Sequence, residues 1–232
     1  ISKRTIALPL GGACFWYKTD PNIGANVPMI KLDVQLLPTN FIIQPDPVKI
    51  EPLSWPRFHA GVAAALSLSM DPRDFDSSQI SLGQPDKLDD RHAGYLLGLG
   101  LNQHLKSINR VQIFRYLESK HYMTSIGVLL GLSSTFIGTG DPRVSSIIAA
   151  HVPAMHPTES IQLQVNLLIQ SAGFMGFGIL HFGTGNRRIS DGMLREFGKT
   201  WRVLTDTPDN CRESYTLCAG LGYGLVILGK GS

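Results

Sequence analysis

Small and large apolar residues recur in a fixed order along most of the chain. Five windows each contain a small residue, three variable residues, a small residue, a large residue and a small residue. The fifth positions of these windows are separated by 33, 33, 45 and 46 residues, and the windows are 61–67, 94–100, 127–133, 172–178 and 218–224. Periods of this length are typical of solenoids built from two-helix units. The pattern therefore predicts a repeat protein with one window in one helix of each unit.

The small residues in these windows predict unusually close helix packing. Residues four apart lie on one face of a helix, so a pair such as Gly94 and Gly98 leaves a strip without side chains. A glycine inside a helix costs about 1 kcal/mol relative to alanine, so that cost must be offset by close approach of neighbouring backbones. We expect structural packing roles for Gly61, Ala65, Gly94, Gly98, Gly100, Gly127, Gly131, Ala172, Gly176, Gly178, Gly222 and Gly224.

Each of two apolar windows is followed by a similar turn and a more polar helix. The turns are Gly138-Thr139-Gly140-Asp141 and Gly183-Thr184-Gly185-Asn186. Asp141 and Asn186 stand where they would cap the next helix, and Pro142 falls at a first helical position, where proline is tolerated. The segments after the turns alternate apolar and polar residues. The sequence thus predicts inner apolar helices covered by an outer layer of amphipathic helices.

The first part of the chain has a different composition. Eight of the 14 prolines lie within the first 56 residues, whereas 21 of the 24 glycines come later. Proline removes a backbone donor and fixes φ, so regular helix is not expected there. The segments 4–8 and 40–43 favour extended chain. We therefore divide the chain into a Pro-rich extended strap or lead-in, residues 1–55, and a repeat region, residues 56–232.

Composition and charge exclude several classes of protein. The chain is 43% hydrophobic and 17% charged, which disfavours intrinsic disorder. A net charge of +3, without a basic cluster, disfavours nucleic-acid binding. Three cysteines without a paired spacing indicate a reducing compartment. The longest continuous apolar run, 172–180, is too short for a membrane span. No leader-like segment is evident, and the repeat pattern stops mid-turn at Ser232, so we expect part of a longer protein.

No local arrangement of residues predicts catalysis, a cofactor or a metal. The segment 224–230 approaches a phosphate-binding loop, but Gly231 replaces the required Ser or Thr. His151 and His156 lack neighbouring ligands at metal-binding spacing. His59 and His92 each precede a window by two residues, which predicts a structural role in capping or bridging the inner helices. Ser133, Ser134 and Ser171 fall inside the repeat helices. We expect no catalytic, cofactor or metal site.

The repeat residues resemble proteasome/cyclosome repeats, as in 92–101. That family includes two subunits of the proteasome regulatory particle and the largest subunit of the anaphase-promoting complex. Resemblance to the latter is closer and covers essentially the whole chain, in particular 4–9, Trp55, Phe58-His59, 123–127, 151–154 and 212–215. Ala65, Ser67, Ser133, Ala172 and Cys218 replace the family's glycine, but all remain small.

The resemblance implies an all-α fold of two-helix repeats that form part of an α-toroid. It also implies a non-catalytic scaffold in a cell-cycle ubiquitin ligase of the nucleus and cytoplasm. Expected partners are the cullin/RING module, a Doc-domain subunit, tetratricopeptide-repeat subunits and a coactivator. A proteasome scaffold that docks ubiquitin or shuttle factors is the alternative, and an enzyme or a membrane protein is a third. The long connections 70–91 and 199–212 are candidate partner-binding loops.

Overall fold

The computed structural model describes residues 34–43, 54–68, 80, 84–85, 87–119, 121–155, 165–198 and 209–230. The described elements are two strands, eight α-helices and two short 3₁₀ turns. The strands are β1 (Val34–Leu36) and β2 (Phe41–Ile43); the helices are α1 (Ser54–Leu66), α2 (Asp90–Leu101), α3 (Arg110–Glu118), α4 (Tyr122–Thr135), α5 (Pro142–Ala149), α6 (Leu167–Leu180), α7 (Arg187–Phe197) and α8 (Asp209–Ile227); the 3₁₀ turns are His104–Ser107 and Pro153–Met155.

Five helices form an inner row in which each packs against the next. The row runs α1, α2, α4, α6 and α8, and each contains one of the five repeat windows, except that Ser67 of the first window directly follows α1. Helices α3, α5 and α7 pack on this row from outside. Inner helices are apolar over most of their circumference, as expected for buried elements; in α4 only Tyr122, Leu130 and Ser134 are not buried. The predicted all-α repeat architecture is therefore confirmed, whereas closure into a toroid stays a prediction.

The core is continuous along the row. Its largest fully buried side chains come mostly from inner helices, and the outer helices add a few residues that point inward, such as Tyr116 of α3 and Ile148 of α5. A smaller cluster around Phe58, Met123 and Ile126 fills another part of the same row. Burial of this kind is the main stabilising contribution in a helical array, because each unit cannot cover its own apolar face.

Strands β1 and β2 form an antiparallel hairpin within the Pro-rich segment. Val34 pairs with Ile43 and Leu36 with Phe41. Strand β2 falls within 40–43, one of the two stretches that the sequence predicts as extended. The other stretch, 4–8, lies outside the described residues, as does most of the proposed strap. The two-domain division at residues 55 and 56 stays a prediction, and α1 begins at Ser54.

Candidate assembly surface

The small residues lie where neighbouring inner helices approach most closely. A methyl group added at Gly94 of α2 would overlap the backbone carbonyl of Phe58 in α1. One added at Gly127 of α4 would overlap the carbonyl of Ala93 in α2. In α2 and α4 the first small position of the window therefore lies directly on the backbone of the preceding inner helix. Only a residue without a side chain permits this separation.

The later small positions make a second set of close contacts. Gly100 lies against the backbone of Gly131, and Gly178 lies against Gly222, whose Cα would be 2.6 Å from an added Cβ. The seventh position of one window thus meets the fifth position of the next. Of the twelve positions, all are buried except Gly224, where an added Cβ would meet nothing within 4 Å among the described residues.

The two glycine-rich turns connect one repeat to the next through the backbone. Gly138 and Gly140 follow α4 with positive φ, and their N–H groups donate to the carbonyls of Ile179 (3.1 Å) and Leu180 (2.9 Å) at the end of α6. Gly183 and Gly185 repeat this arrangement on Leu225 and Val226 of α8, both at 2.9 Å. The last carbonyls of a helix have no partner within it. Each turn therefore satisfies the end of the following inner helix.

The predicted helix caps are confirmed, although their chemistry differs. The Asp141 side chain accepts from the N–H groups of Arg143 (2.8 Å) and Val144 (3.2 Å). Its other carboxylate oxygen accepts from Arg143 Nη2 at 2.9 Å, and this bond is the main reason that the pKa of Asp141 falls to about 2. Asn186 accepts from the N–H of Ile189 at 3.3 Å and has no charge to attract an arginine.

Hydroxyl groups in the inner helices are used for internal hydrogen bonds. Ser133, Ser134 and Ser171 each donate to the carbonyl four residues earlier, at 2.7–2.8 Å. The single hydroxyl proton of Thr135 is shared between the carbonyls of Gly131 (2.8 Å) and of Gly100 in the preceding inner helix (3.1 Å). The hydroxyl proton of each of the three serines is therefore engaged by a carbonyl of its own helix.

His92 and Tyr116 connect an inner helix with an outer one. Their Nε2 and hydroxyl oxygen are 3.2 Å apart in a buried contact between α2 and α3. Burial lowers the pKa of His92 to about 4, an effect partly opposed by Asp89, and burial raises the pKa of Tyr116 to about 12. Both groups are consequently neutral near pH 7. A structural role fits this geometry, with the contact made to an outer helix.

The described residues contain no group of three or more His, Cys, Asp or Glu side chains able to hold a metal ion. His151 Nδ1 donates to the carbonyl of Ile147 at 2.9 Å, and His156 lies outside the described residues. Cys211 and Cys218 are free thiols. None of the described helices combines the length and apolar character that a membrane crossing requires.

Comparison with known proteins decides the family. The family model described as the APC1 fourth domain matches residues 1–137, and the APC1 fifth domain matches residues 142–232. The chain belongs to the anaphase-promoting complex subunit 1 family. The alternative of a proteasome subunit finds no support in these matches.

Individual relatives agree with the family models. Anaphase-promoting complex subunit 1 of Dictyostelium discoideum is 37% identical over 99% of this chain, and that of Homo sapiens is 35% identical over all of it. A protein of Emericella nidulans named "Negative regulator of mitosis" is 37% identical, also over the whole chain. The chain spans 10% to 12% of the length of these three relatives.

Within this subunit 1 segment, sequence reasoning missed the contacts that join the repeats through polar atoms. Asn102 Nδ2 donates to the carbonyl of Ala65 at 3.0 Å, a buried bond between the ends of α2 and α1. In the sequence, Asn102 is simply a polar residue directly after an apolar helix. An ordinary exposed helix cap has the same pattern, so the sequence does not reveal the buried bond. The proposed partner loops 70–91 and 199–212 lie mostly outside the described residues.

Proposed function

We propose that the chain is a non-catalytic scaffold segment of the anaphase-promoting complex, a cell-cycle ubiquitin ligase, and that it organises the catalytic and substrate-recognition modules. The proposal rests on one observation, which is that the residues of the inner row are engaged in packing and hydrogen bonds within the row. Its small residues and hydroxyl groups serve helix packing and internal hydrogen bonds. A rigid array with this interior leaves the outer helices and turns for binding, as in other solenoids.

A row of exposed apolar side chains supports a partner-facing edge. Ile137, Phe182 and Leu228 each stand directly before the first glycine of a turn, so they occupy equivalent places in three successive repeats. They are 53%, 40% and 55% exposed. Packed helices are roughly 8–10 Å apart, so equivalent side chains recur at about that spacing. Contiguous exposed apolar residues mark protein interaction sites more often than isolated ones do. We call these three residues the turn edge.

The proposed partners are the cullin/RING module, the Doc-domain subunit, the tetratricopeptide-repeat subunits and the coactivator. The subunit named in the relatives belongs to a complex of that name, which supports assembly with other subunits of it. The proposed location is the nucleus and the cytoplasm, where such a complex would act in dividing cells. The proposal requires no cofactor, nucleic acid, membrane or small-molecule substrate.

Affinity purification of the tagged protein from dividing cells, followed by quantitative mass spectrometry, tests the proposal. We expect the cullin, RING, Doc-domain and tetratricopeptide subunits in stoichiometric amounts. Recovery of proteasomal ATPases in their place would overturn the assignment to this complex. Ubiquitin transfer that persists without the cullin and RING subunits would contradict the non-catalytic role.

A variant of the turn edge makes the test specific to these residues. Replacement of Ile137, Phe182 and Leu228 by serine should reduce recovery of at least one of those subunits. The matched control replaces Val111 and Phe114 of α3, which are 62% and 51% exposed, by serine and should leave recovery unchanged. Equal losses from both variants would show that the turn edge is not a specific interface.

A further inference from the structure

A groove lies between the outer helices α5 and α7, over the end of α6. Its volume is about 610 Å³, within the range of roughly 300–1,000 Å³ that ligand sites occupy. The floor is apolar and includes the buried ring of Phe177, with Ala149, Met155 and Ile189 packed against the same core. Ser145 and Ser146 of α5 form one wall. The groove can therefore accept an apolar side chain between polar walls.

The opposite wall carries two exposed arginines. Arg188 and Arg195 both line the groove, and the lining includes no aspartate or glutamate. They are seven residues apart on α7, so they lie on one face and about 10 Å apart along the helix axis. No carboxylate among the described residues lies within ion-pair distance of either one. The wall therefore presents two positive charges at a fixed spacing.

The acidic residues near the groove bind other side chains than Arg188 and Arg195. Asp141 pairs with Arg143, Asp191 pairs with Arg187 at 3.6 Å, and Glu196 accepts a hydrogen bond from Tyr215 of α8 at 2.7 Å. His181 also lines the groove, where its Nε2 lies 3.5 Å from Ser145 Oγ. Burial lowers the pKa of His181, so it adds no charge near pH 7. The positive potential of the groove comes from the two arginines.

Comparison with the preceding repeat explains why Arg188 is available. Arg143 and Arg188 occupy the same place after their turns, two residues beyond the capping residue. In the turn before α5 the cap is Asp141, which accepts hydrogen bonds from both the Nε (3.3 Å) and the Nη2 (2.9 Å) of Arg143. In the turn before α7 the cap is Asn186, which accepts from a backbone N–H at the start of the helix but carries no charge to neutralise Arg188. The change from Asp to Asn leaves that guanidinium for another carboxylate.

We propose that the α5–α7 groove binds an extended acidic peptide segment of a partner protein. Two carboxylates of the segment engage Arg188 and Arg195, and an apolar side chain between them enters the floor. A peptide in the extended polyproline II conformation rises about 3.1 Å per residue and returns to the same face every third residue. Acidic residues three apart therefore project to one side about 9 Å apart, close to the arginine spacing of about 10 Å. Arginine suits this role because its planar fork binds carboxylates through two parallel hydrogen bonds. This proposal holds whichever complex the chain assembles into.

The test uses the protein purified from its own cells and a fluorescein-labelled peptide with two glutamates three residues apart and a leucine between them. Fluorescence anisotropy at physiological salt should show saturable binding, and the peptide with glutamine in both places should bind at least tenfold more weakly. Arg188→Glu and Arg195→Glu should each weaken binding by about tenfold, as expected for loss of a charge-assisted hydrogen bond. No saturable binding, or equal binding of the glutamine peptide, would overturn the proposal.

Two matched variants separate this groove from general positive charge. Arg187→Glu changes the adjacent arginine, which pairs with Asp191 and does not line the groove, and should alter affinity less than twofold. Asn186→Asp keeps a helix cap but should clamp Arg188 as Asp141 clamps Arg143, and so should weaken binding several-fold. Equal effects of Arg187→Glu and Arg188→Glu would refute a specific site.

Two other occupants are distinguishable in the same assay. An oligoadenylate RNA that binds through Arg188 and Arg195 while the acidic peptide does not would replace the proposal with a nucleic-acid site. Replacement of residues 156–164 by a Gly/Ser linker of equal length should leave peptide affinity within twofold. A tenfold increase would show that this segment of the chain is itself the occupant, against the proposal.

Discussion

Gly98→Ala tests whether the glycines are required by close helix contacts. An added Cβ at Gly98 would lie 2.5 Å from the Cβ of Ala65 and 2.7 Å from the carbonyl oxygen of Val62, whereas ordinary contact begins near 3.4 Å. Both obstacles belong to α1, and one is backbone, so rotation of a side chain cannot relieve the overlap. Helices α1 and α2 must separate, or the helix backbones must bend.

The expected change in stability is the sum of two opposing effects. Alanine favours the helix by about 1 kcal/mol relative to glycine. Overpacking of a well-packed contact costs about 1–3 kcal/mol, and we expect the upper part of that range because backbone must move. Gly98→Ala should therefore reduce the free energy of local unfolding of α2 by about 1–2 kcal/mol, despite the better helix propensity.

Gly192→Ala is the matched control, since Gly192 is also a buried glycine within a helix. Its added Cβ would meet the Sδ of Met155 at 2.6 Å, which is the far end of a flexible side chain. Methionine adapts to such changes through its three rotatable bonds. We expect this substitution to leave the stability of α7 unchanged or to raise it by about 1 kcal/mol. The higher helix propensity of alanine is not offset here by a clash with backbone atoms.

Hydrogen exchange followed by mass spectrometry measures both variants locally, which matters because a repeat array need not unfold in one step. Every 1.4 kcal/mol corresponds to about a tenfold change in exchange through local opening. Amides of α2 should exchange several-fold to about thirtyfold faster in Gly98→Ala, and those of α7 should not exchange faster in Gly192→Ala. Unchanged or slower exchange of α2 would refute the argument from close approach.

Three further predictions follow from other contacts. The α2–α3 contact should lose stability as the pH falls from about 6.5 to about 4. The reason is that His92 gains a proton below pH 6.5 in the unfolded chain, whereas the buried His92, with a pKa of about 4, stays neutral. The loss is about 3 kcal/mol at most, and the pH dependence of hydrogen exchange in α2 should disappear in His92→Gln. Asn102→Ala removes the buried donor to Ala65 and should cost about 1–3 kcal/mol in urea unfolding, whereas the exposed Lys106→Ala should change stability by less than about 0.5 kcal/mol. The 232-residue chain on its own should self-associate in light scattering, because Leu217, Leu221 and Leu228 at its last repeat are all more than half exposed, and a clean monomer would contradict this.

The features that the sequence predicts correctly are those that depend on residues within one helix or next to it. All five windows fall on inner helices, apart from Ser67 just after α1, because small residues four apart and large apolar residues between them are visible as a local pattern. The turns and caps were predictable for the same reason: Asp141, Asn186 and Pro142 act on groups within three residues of themselves. Local chemistry is readable without knowledge of the neighbouring helix.

Contacts between distant residues were not predictable in this way. Asn102 reaches a carbonyl 37 residues earlier, and Gly140 donates to one 40 residues later. The sequence predicts that His92 caps or bridges inner helices, but its partner Tyr116 lies on the outer helix α3, which no local pattern pairs with α2. These bonds depend on how two helices are placed in three dimensions, which spacing along one of them does not determine.

The repeats also indicate where individual binding function can arise. Positions shared by successive repeats, such as Gly131 and Gly176, serve packing, so a change there disturbs the row itself. Positions at which repeats differ on the outer surface are free of that constraint. Asp141 and Asn186 both cap a helix, yet the first neutralises the arginine two residues later and the second does not. A single substitution at an equivalent position can thus turn an internally satisfied surface into one that attracts a partner, while the stacked interior stays the same.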